Sequence, residues 1–217
     1  MIFVGREIET EHITKELYQG KNIIVGGKFG IGRTSMIKEI ASLLQNKWHF
    51  IFVDFSQTPG KMSAKLMKEF HISKINKQTG KQWGYKSMRY RIANAKVPRR
   101  KNTVIVFDNV AKLTPQKTIF LRHLILENNF QFIAIVENFL PKKDLFSLEA
   151  QLLPTTIIFL SNLNDKAVLN FLRTFSHKYH LNWSDIYIQS LAALASGYPL
   201  GMMAMIRNKR EGYGLHD

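Results

Sequence analysis

Five short, nearly unbroken apolar runs narrow the folds open to this chain more than any other feature: Asn22–Val25, His49–Asp54, Thr103–Asp108, Gln131–Val136 and Thr155–Leu160. Each is bounded by polar or turn-forming residues. Continuous hydrophobicity over so few residues is what a strand covered on both faces requires, whereas a half-solvated strand would alternate. Stretches of helical spacing stand between the runs, as in Ser35–Leu44 (SMIKEIASLL) and Lys61–Phe70 (KMSAKLMKEF). Strands alternating with helices call for crossover connections and a parallel sheet. After Leu160 the pattern becomes helical, with stretches at Asp165–His180, Trp183–Ser196 and Leu200 to about Lys209, the last two separated by Gly197-Tyr198-Pro199. The expectation is an α/β domain with a five-stranded parallel sheet flanked by helices over residues 1–161, and a small helical lid over 162–217. A chain of 217 residues, 45% of them hydrophobic, is long enough to bury such a core.

The first run leads into Gly27-Lys28-Phe29-Gly30-Ile31-Gly32-Arg33-Thr34-Ser35, and a helical stretch follows. This is the strand-to-helix setting in which a G-x-x-x-x-G-K-[ST] phosphate loop is credible. The glycines let backbone N–H groups converge on a phosphate, and the helix N-terminus adds partial positive charge. Thr34 offers a hydroxyl to Mg²⁺. Arg33 stands where the loop has lysine; it keeps the charge but presents a longer planar fork, which favours binding over accurate placement of a transferring phosphate. A ligand-free glycine turn is the competing reading. The third run ends in Asp108-Asn109. An aspartate closing a buried strand beside a phosphate loop can hold Mg²⁺ through water; taken alone it is more often an ordinary strand-terminal turn former, and its place downstream of the loop reverses that preference.

These residues, with Phe3-Val4-Gly5-Arg6-Glu7 ahead of the first strand, resemble the P-loop ATPase domains of the AAA+ and STAND superfamilies, above all the origin-recognition, archaeal-ATPase and transposition-regulator branches. The resemblance runs from about Phe3 to Arg207 and implies ATP and Mg²⁺ as cofactors. It implies that Val4, Gly5 and Arg6 lie against the adenine and that Gly27, Gly30, Ile31, Gly32, Arg33, Thr34 and Ser35 hold the phosphates. It also implies Thr34 and Asp108 at the metal, Asn138 after the Gln131–Val136 strand as a polar sensor, and Pro199 of Gly197-Tyr198-Pro199 near the nucleotide. Three departures stand out. Asn109 occupies the place of the glutamate that orients water, and an amide is no general base; Glu137 is the substitute the sequence offers. No arginine occurs between Arg122 and Arg173, where such families carry an arginine finger, leaving Lys142 and Lys143 as stand-ins. The lid has no arginine near Pro199 before Arg207. Slow hydrolysis is expected.

Charge supplies the remaining signal. The chain carries a formal +15, and the segment Lys61–Lys101 holds thirteen Lys/Arg against the single acid Glu69, hence +12 of it. Trp83, Tyr85 and Tyr90 are interleaved with Lys81, Lys86, Arg89 and Arg91, and Arg99, Arg100 and Lys101 close the run. Basic groups neutralise backbone phosphates while aromatic faces stack on bases, so a nucleic-acid partner is expected, DNA by the resemblance. The alternative is a helix whose aromatics are core and whose lysines are a solvated face. The resemblance further implies ATP-dependent self-assembly and a partner enzyme of the transposase or replication type; a STAND-type signalling switch acting through protein partners is the second reading. There is no cysteine. MIFVGREIE has no basic-then-apolar leader, and no apolar run approaches the length needed to span a bilayer, so a cytoplasmic protein without a membrane partner is expected.

Overall fold

The computed structural model describes residues 4–76, 79–95, 102–126 and 129–212. Five parallel strands form one sheet in the order β2-β3-β4-β1-β5: β1 (Asn22–Gly27), β2 (Trp48–Asp54), β3 (Asn102–Val110), β4 (Gln131–Val136) and β5 (Thr155–Leu160). All five apolar runs are therefore strands, and the β4 strand does lie between β1 and β3. The flanking helices are α1 (Glu7–Tyr18), α2 (Arg33–Leu43), α3 (Pro59–Glu69), α4 (Tyr85–Ala93), α5 (Pro115–Leu126) and α6 (Lys142–Gln151); α7 (Asp165–Lys178), α8 (Asp185–Ala195) and α9 (Pro199–Gly212) follow the last strand.

Alternation along the inner strands explains their unbroken hydrophobicity. Ile23 and Val25 of β1, Val104 and Val106 of β3, and Ile133 and Ile135 of β4 bury one face of the sheet against Ile13 and Leu17 of α1 and Met36, Ile37 and Ile40 of α2. Ile24, Ile105, Phe107, Phe132 and Ala134 point the other way, into a core closed by α3, α5 and α6. Phe107 anchors that side, stacked on Phe132 at 5.9 Å and set edge-on to Phe55 at 5.3 Å. Because side chains alternate, burying Phe107 on the α5 side turns Asp108 to the face that carries α2. At the opposite end of the sheet, buried Asn22 clips three elements together. Its amide nitrogen donates to Leu152 O at 2.7 Å, its amide oxygen accepts from Phe132 N at 2.8 Å, and its carbonyl accepts from the Thr155 hydroxyl at 3.2 Å.

Helix starts differ from the periodic reading because capping, not hydrophobicity, sets them. Apolar spacing places the third helix at Lys61, whereas α3 begins at Pro59, capped by Thr58, whose hydroxyl accepts from Lys61 N. Ser184 likewise caps α8 through Tyr187 N at 3.2 Å, and α8 starts at Asp185 rather than Trp183. The helix after the glycine loop starts two residues early, at Arg33, behind a left-handed Gly32.

Helices α7–α9 share their own core, with Val168, Leu172, Ile188, Met202 and Ile206 among its members. Two tight places fix them, one against the segment ahead of α1 and one between the α8–α9 turn and the residues that lead into α7. A Cβ on Gly5 would come within 2.4 Å of Ala167 Cβ, and one on Gly197 within 2.0 Å of Leu163 O, where Leu163 N donates to Gly197 O at 2.8 Å. Gly197 also has φ +70°. Gly197→Ala is therefore expected to destabilise by about 2 kcal/mol through left-handed strain and displaced backbone. Its thermal midpoint should fall by roughly 4–8 °C. Gly60→Ala, whose Cβ meets nothing, is the matched control.

Candidate functional site

The turn from β1 to α2 is held open by backbone geometry. Gly27, Gly30 and Gly32 have φ of +145°, +71° and +95°, which side-chain-bearing residues adopt at a cost. Ile31, fully buried, pins the loop to the sheet, and its N–H donates to Lys28 O at 3.2 Å. Because α2 begins at Arg33, the N–H groups of its first turn face the loop. The Thr34 hydroxyl donates to Asp108 Oδ1 at 3.1 Å, and Asn109 N donates to the same oxygen at 2.9 Å. The metal pair expected from the sequence is thus brought together across α2 and β3.

Above the loop lies a cavity of about 430 Å³. Its walls bring together Val4, Arg6, Gly30, Ile31, Gly32, Arg33, Thr34, Ser35 and Pro199, along with Asn109 and Glu137, all singled out in the sequence. Leu163, Phe171, Leu200 and Met202 complete it from the helical side. Gly27 stands at its foot, packed against Ile31 and Leu160. Phe3 lies outside the described residues. Gly5 packs on Ala167 and does not line the cavity.

Two side chains take positions other than those expected. Arg33 is buried and does not turn into the loop: it donates to Val136 O, and its Nη2 meets Glu137 Oε2 at 2.8 Å. An arginine arm is long enough to span from the first turn of α2 to the carboxyl end of β4, and a buried guanidinium requires an anion. Glu137, the substitute base, is thereby engaged as the counter-charge. Asn138, the expected sensor, is exposed and does not line the cavity, whereas Glu137 does. Arg6, also buried, acts as a tie: its Nη2 donates to Ser161 O at 2.6 Å and Ile31 O at 3.3 Å, and its Nη1 meets Glu9 at 2.8 Å. Arg207 is exposed on α9.

Sequence reasoning gave no role to Tyr198, Leu200, Asp54 or Lys117. The Tyr198 hydroxyl donates to Phe29 O at 2.5 Å, and a Cβ on Gly30 would lie 2.6 Å from Leu200 Cβ, so the Tyr198–Leu200 turn rests on the phosphate loop itself. Asp54 ends β2 in register with Asp108 and accepts from Ser56 N at 2.9 Å, Gln57 Nε2 at 3.2 Å and Asn109 Nδ2 at 3.2 Å. The matching ends of the second and third runs, FVDF and VFDN, carried that signal. Asn109, at φ +60°, breaks the β3–β4 register as its amide turns to Asp54. Burial alone would raise the Asp54 pKa, but the Ser56, Asn109 and Gln57 donors outweigh it and hold the pKa down to about 2. Nearby, burial lowers the Lys117 ammonium against a smaller opposing pull from Asp54; it donates to Phe55 O at 2.5 Å.

The basic segment divides. Lys81, Lys86 and Arg91 are exposed, and the Arg91 guanidinium lies over the Trp83 ring at 3.7 Å. Arg89 is buried against the Tyr85 ring at 4.6 Å, so as placed it supports α4 rather than facing solvent. Arg99, Arg100 and Lys101 lie outside the described residues. Among the described residues no helix is long and apolar enough to cross a membrane, and no cluster of three His, Cys, Asp or Glu could hold a metal.

A carboxylate held lower in the folded state than in the unfolded chain contributes stability above its unfolded value and loses it as pH falls toward the folded one. Wild-type denaturation midpoints should therefore drop between about pH 4 and pH 2 more steeply than those of Asp54→Asn. Parallel curves would show that the three donors do not hold the charge.

No family model and no curated protein matches the chain. Solved structures do. Cdc6p from Pyrobaculum aerophilum superposes with TM-score 0.70 at 11% identity, over 96% of this chain and 62% of that one. Aeropyrum pernix Orc1, in a complex with DNA, gives 0.67 at 15% over 98% and 62%. The Thermotoga maritima RuvB Holliday junction branch migration motor gives 0.63 at 16% over 96% and 63%. The chain spans about three fifths of the length of each of these proteins. With its strand order and its glycine loop between β1 and α2, the chain has the fold of the AAA+ P-loop ATPases.

Proposed function

We propose that the chain binds ATP with Mg²⁺ in the cavity between the sheet and α7–α9, hydrolyses it slowly, and binds DNA in a nucleotide-dependent, largely sequence-independent way. The observation that carries the nucleotide reading is the Thr34–Asp108 hydrogen bond at 3.1 Å beneath three positive-φ glycines. A hydroxyl and a carboxylate oxygen so placed are the hard oxygen ligands that Mg²⁺ takes, usually with water and substrate phosphates completing its shell. Thr34 and Asp108 would hold the metal, and the Gly27–Thr34 amides would hold the phosphates. The metal would supply charge neutralisation for the triphosphate. Arg33 faces a competition: it pairs with Glu137 or with a phosphate, and turning to one releases the other. Asn109 cannot take a proton, and Glu137, while paired, is a poor base.

DNA binding is supported by the charge of the Lys61–Lys101 segment and by the exposure of Lys81, Lys86 and Arg91. The Orc1 structure that resembles this chain is a DNA complex. Self-assembly on DNA and regulation of a partner enzyme extend the same reading. The second reading, a nucleotide switch acting on protein partners, is favoured by one contact, Tyr198 on Phe29 O, which couples the helical lid to the phosphate loop.

Thr34→Ala is expected to weaken Mg²⁺-dependent ATP binding about tenfold, or about 1.4 kcal/mol, in calorimetric titration. Equal affinity in wild type and in a Gly32→Asp, Thr34→Ala double variant would remove the nucleotide reading. Wild-type turnover should fall well below the roughly 10 s⁻¹ typical of enzymes, and Arg33→Lys with Asn109→Glu should raise it.

For DNA, log affinity should fall linearly with log salt. Replacing Arg99, Arg100 and Lys101 together by Ala should reduce the slope by up to about three. An unchanged slope, with folding verified by melting, would favour the protein-partner switch.

A further inference from the structure

The face of α4 carries a second cavity, about 630 Å³, bordered by Trp83, Lys86, Ser87, Tyr90, Arg91 and Asn94. We infer that it seats an unpaired base of single-stranded DNA, an inference that rests on the reading of the basic segment as a nucleic-acid surface. Three features of the cavity point to a base rather than to phosphate alone.

The first is a preformed planar platform. The Arg91 guanidinium lies on the Trp83 ring at 3.7 Å, and Arg91 is exposed, so one face of the cation is covered by indole and the rest is presented outward. A guanidinium stacks on aromatic faces as well as pairing with anions, and fixing its plane in advance removes the ordering cost of doing so. The second is Tyr90, 69% exposed although it is a large aromatic residue on a helix whose neighbours Ile92 and Ala93 are buried. Lys86, Tyr90 and Asn94 recur every four residues, so they share one stripe of α4. That stripe offers a phosphate-binding cation, a stacking ring and, at the helix end, the Asn94 amide, whose nitrogen donates to Tyr90 O at 3.0 Å and whose oxygen is an acceptor for a base edge. The third is the scaffold behind it. Arg89 is buried under α4 against Tyr85, and a short bridge between Ile75 and Gln82 returns the chain so that Trp83 N donates to Lys74 O at 3.0 Å. The backbone that carries Trp83 is thus held by main-chain contacts, and Arg89 and Tyr85 pack the inner side of α4.

Strand state follows from geometry. In a duplex the base faces are covered by their neighbours, and a convex basic helix reaches mainly phosphates. In a single strand the faces are free, and aromatic or arginine platforms take them with little regard to sequence. The stacking faces of Tyr90 and of the Arg91–Trp83 pair serve the second, while the Arg91 charge serves both.

The test compares three DNA ligands with the full chain, in fluorescence anisotropy at matched salt: a 20-nucleotide single strand, a duplex of it, and the same strand with abasic residues at its central positions. Wild type should bind the intact strand at least fivefold more tightly than the abasic one. Tyr90→Ala should lose most of that difference while the salt slope stays the same, because the ring carries no charge. Arg91→Lys, which keeps the charge and removes the plane, should also lose it. Equal affinity of wild type for intact and abasic strands overturns the base site and leaves phosphate-only binding intact. Absence of binding to all three ligands at low salt overturns the underlying nucleic-acid reading instead. A thermal melt of each variant, unchanged from wild type, verifies that the protein has folded.

Discussion

Two-sided burial of β1, β3 and β4 is the constraint on which the rest depends. Strands with no solvated face can end only where the sheet ends, so every polar group with a task is pushed to the strand termini. The carboxyl ends of β1, β2 and β3 carry Gly27, Asp54 and Asp108, Glu137 follows the last residue of β4, and helix α2 is brought down onto them by Met36, Ile37 and Ile40. The same constraint aims Asp108: with Phe107 locked between Phe55 and Phe132, the next residue has one direction available. Truncating a buried phenylalanine of this kind costs about 3–5 kcal/mol, so the aim of the carboxylate is backed by an interaction much stronger than its own hydrogen bond to Thr34.

The arginine in the phosphate loop changes the electrostatics of the site. A lysine there is a compact charge that stays near the loop, whereas Arg33 reaches Val136 O and Glu137 and makes the end of β4 part of the loop's charge balance. Arg33 is buried and Glu137 partly so, and removing Glu137 would leave the guanidinium without its counter-charge. Glu137 is therefore tied to the integrity of the loop, and a function for it as a base competes with that duty.

The sheet was legible in the sequence because a strand buried on both faces leaves an unambiguous apolar run, and the phosphate loop because glycines at fixed spacing between a strand and a helix have few other uses. The meeting of Thr34 with Asp108 followed from the same logic. Arg33 was misdirected because side-chain reach depends on where its helix begins, and that start is set by Gly32 in a left-handed conformation rather than by any hydrophobic period. Asn138 was preferred to Glu137 on family pattern, and the half-turn after β4 exposes the first and leaves the second facing the cavity. Arg89 read as one more surface cation in a basic run; only the packing of α4 on α5, next to His123, turns it inward. Tyr198 gave no sequence signal beyond its place before a proline, since a contact to Phe29 spans 169 residues.

That Tyr198 contact has a thermodynamic corollary. The hydroxyl and Leu200 press on Phe29 and Gly30, so any ligand that reshapes this short stretch of backbone also shifts the balance between docked and undocked helices. Observed affinity then equals the intrinsic affinity scaled by the fraction of molecules in the receptive arrangement. By reciprocity, whatever grips α7–α9 from outside, whether another copy or another protein, adjusts occupancy of the loop by the same factor without touching it.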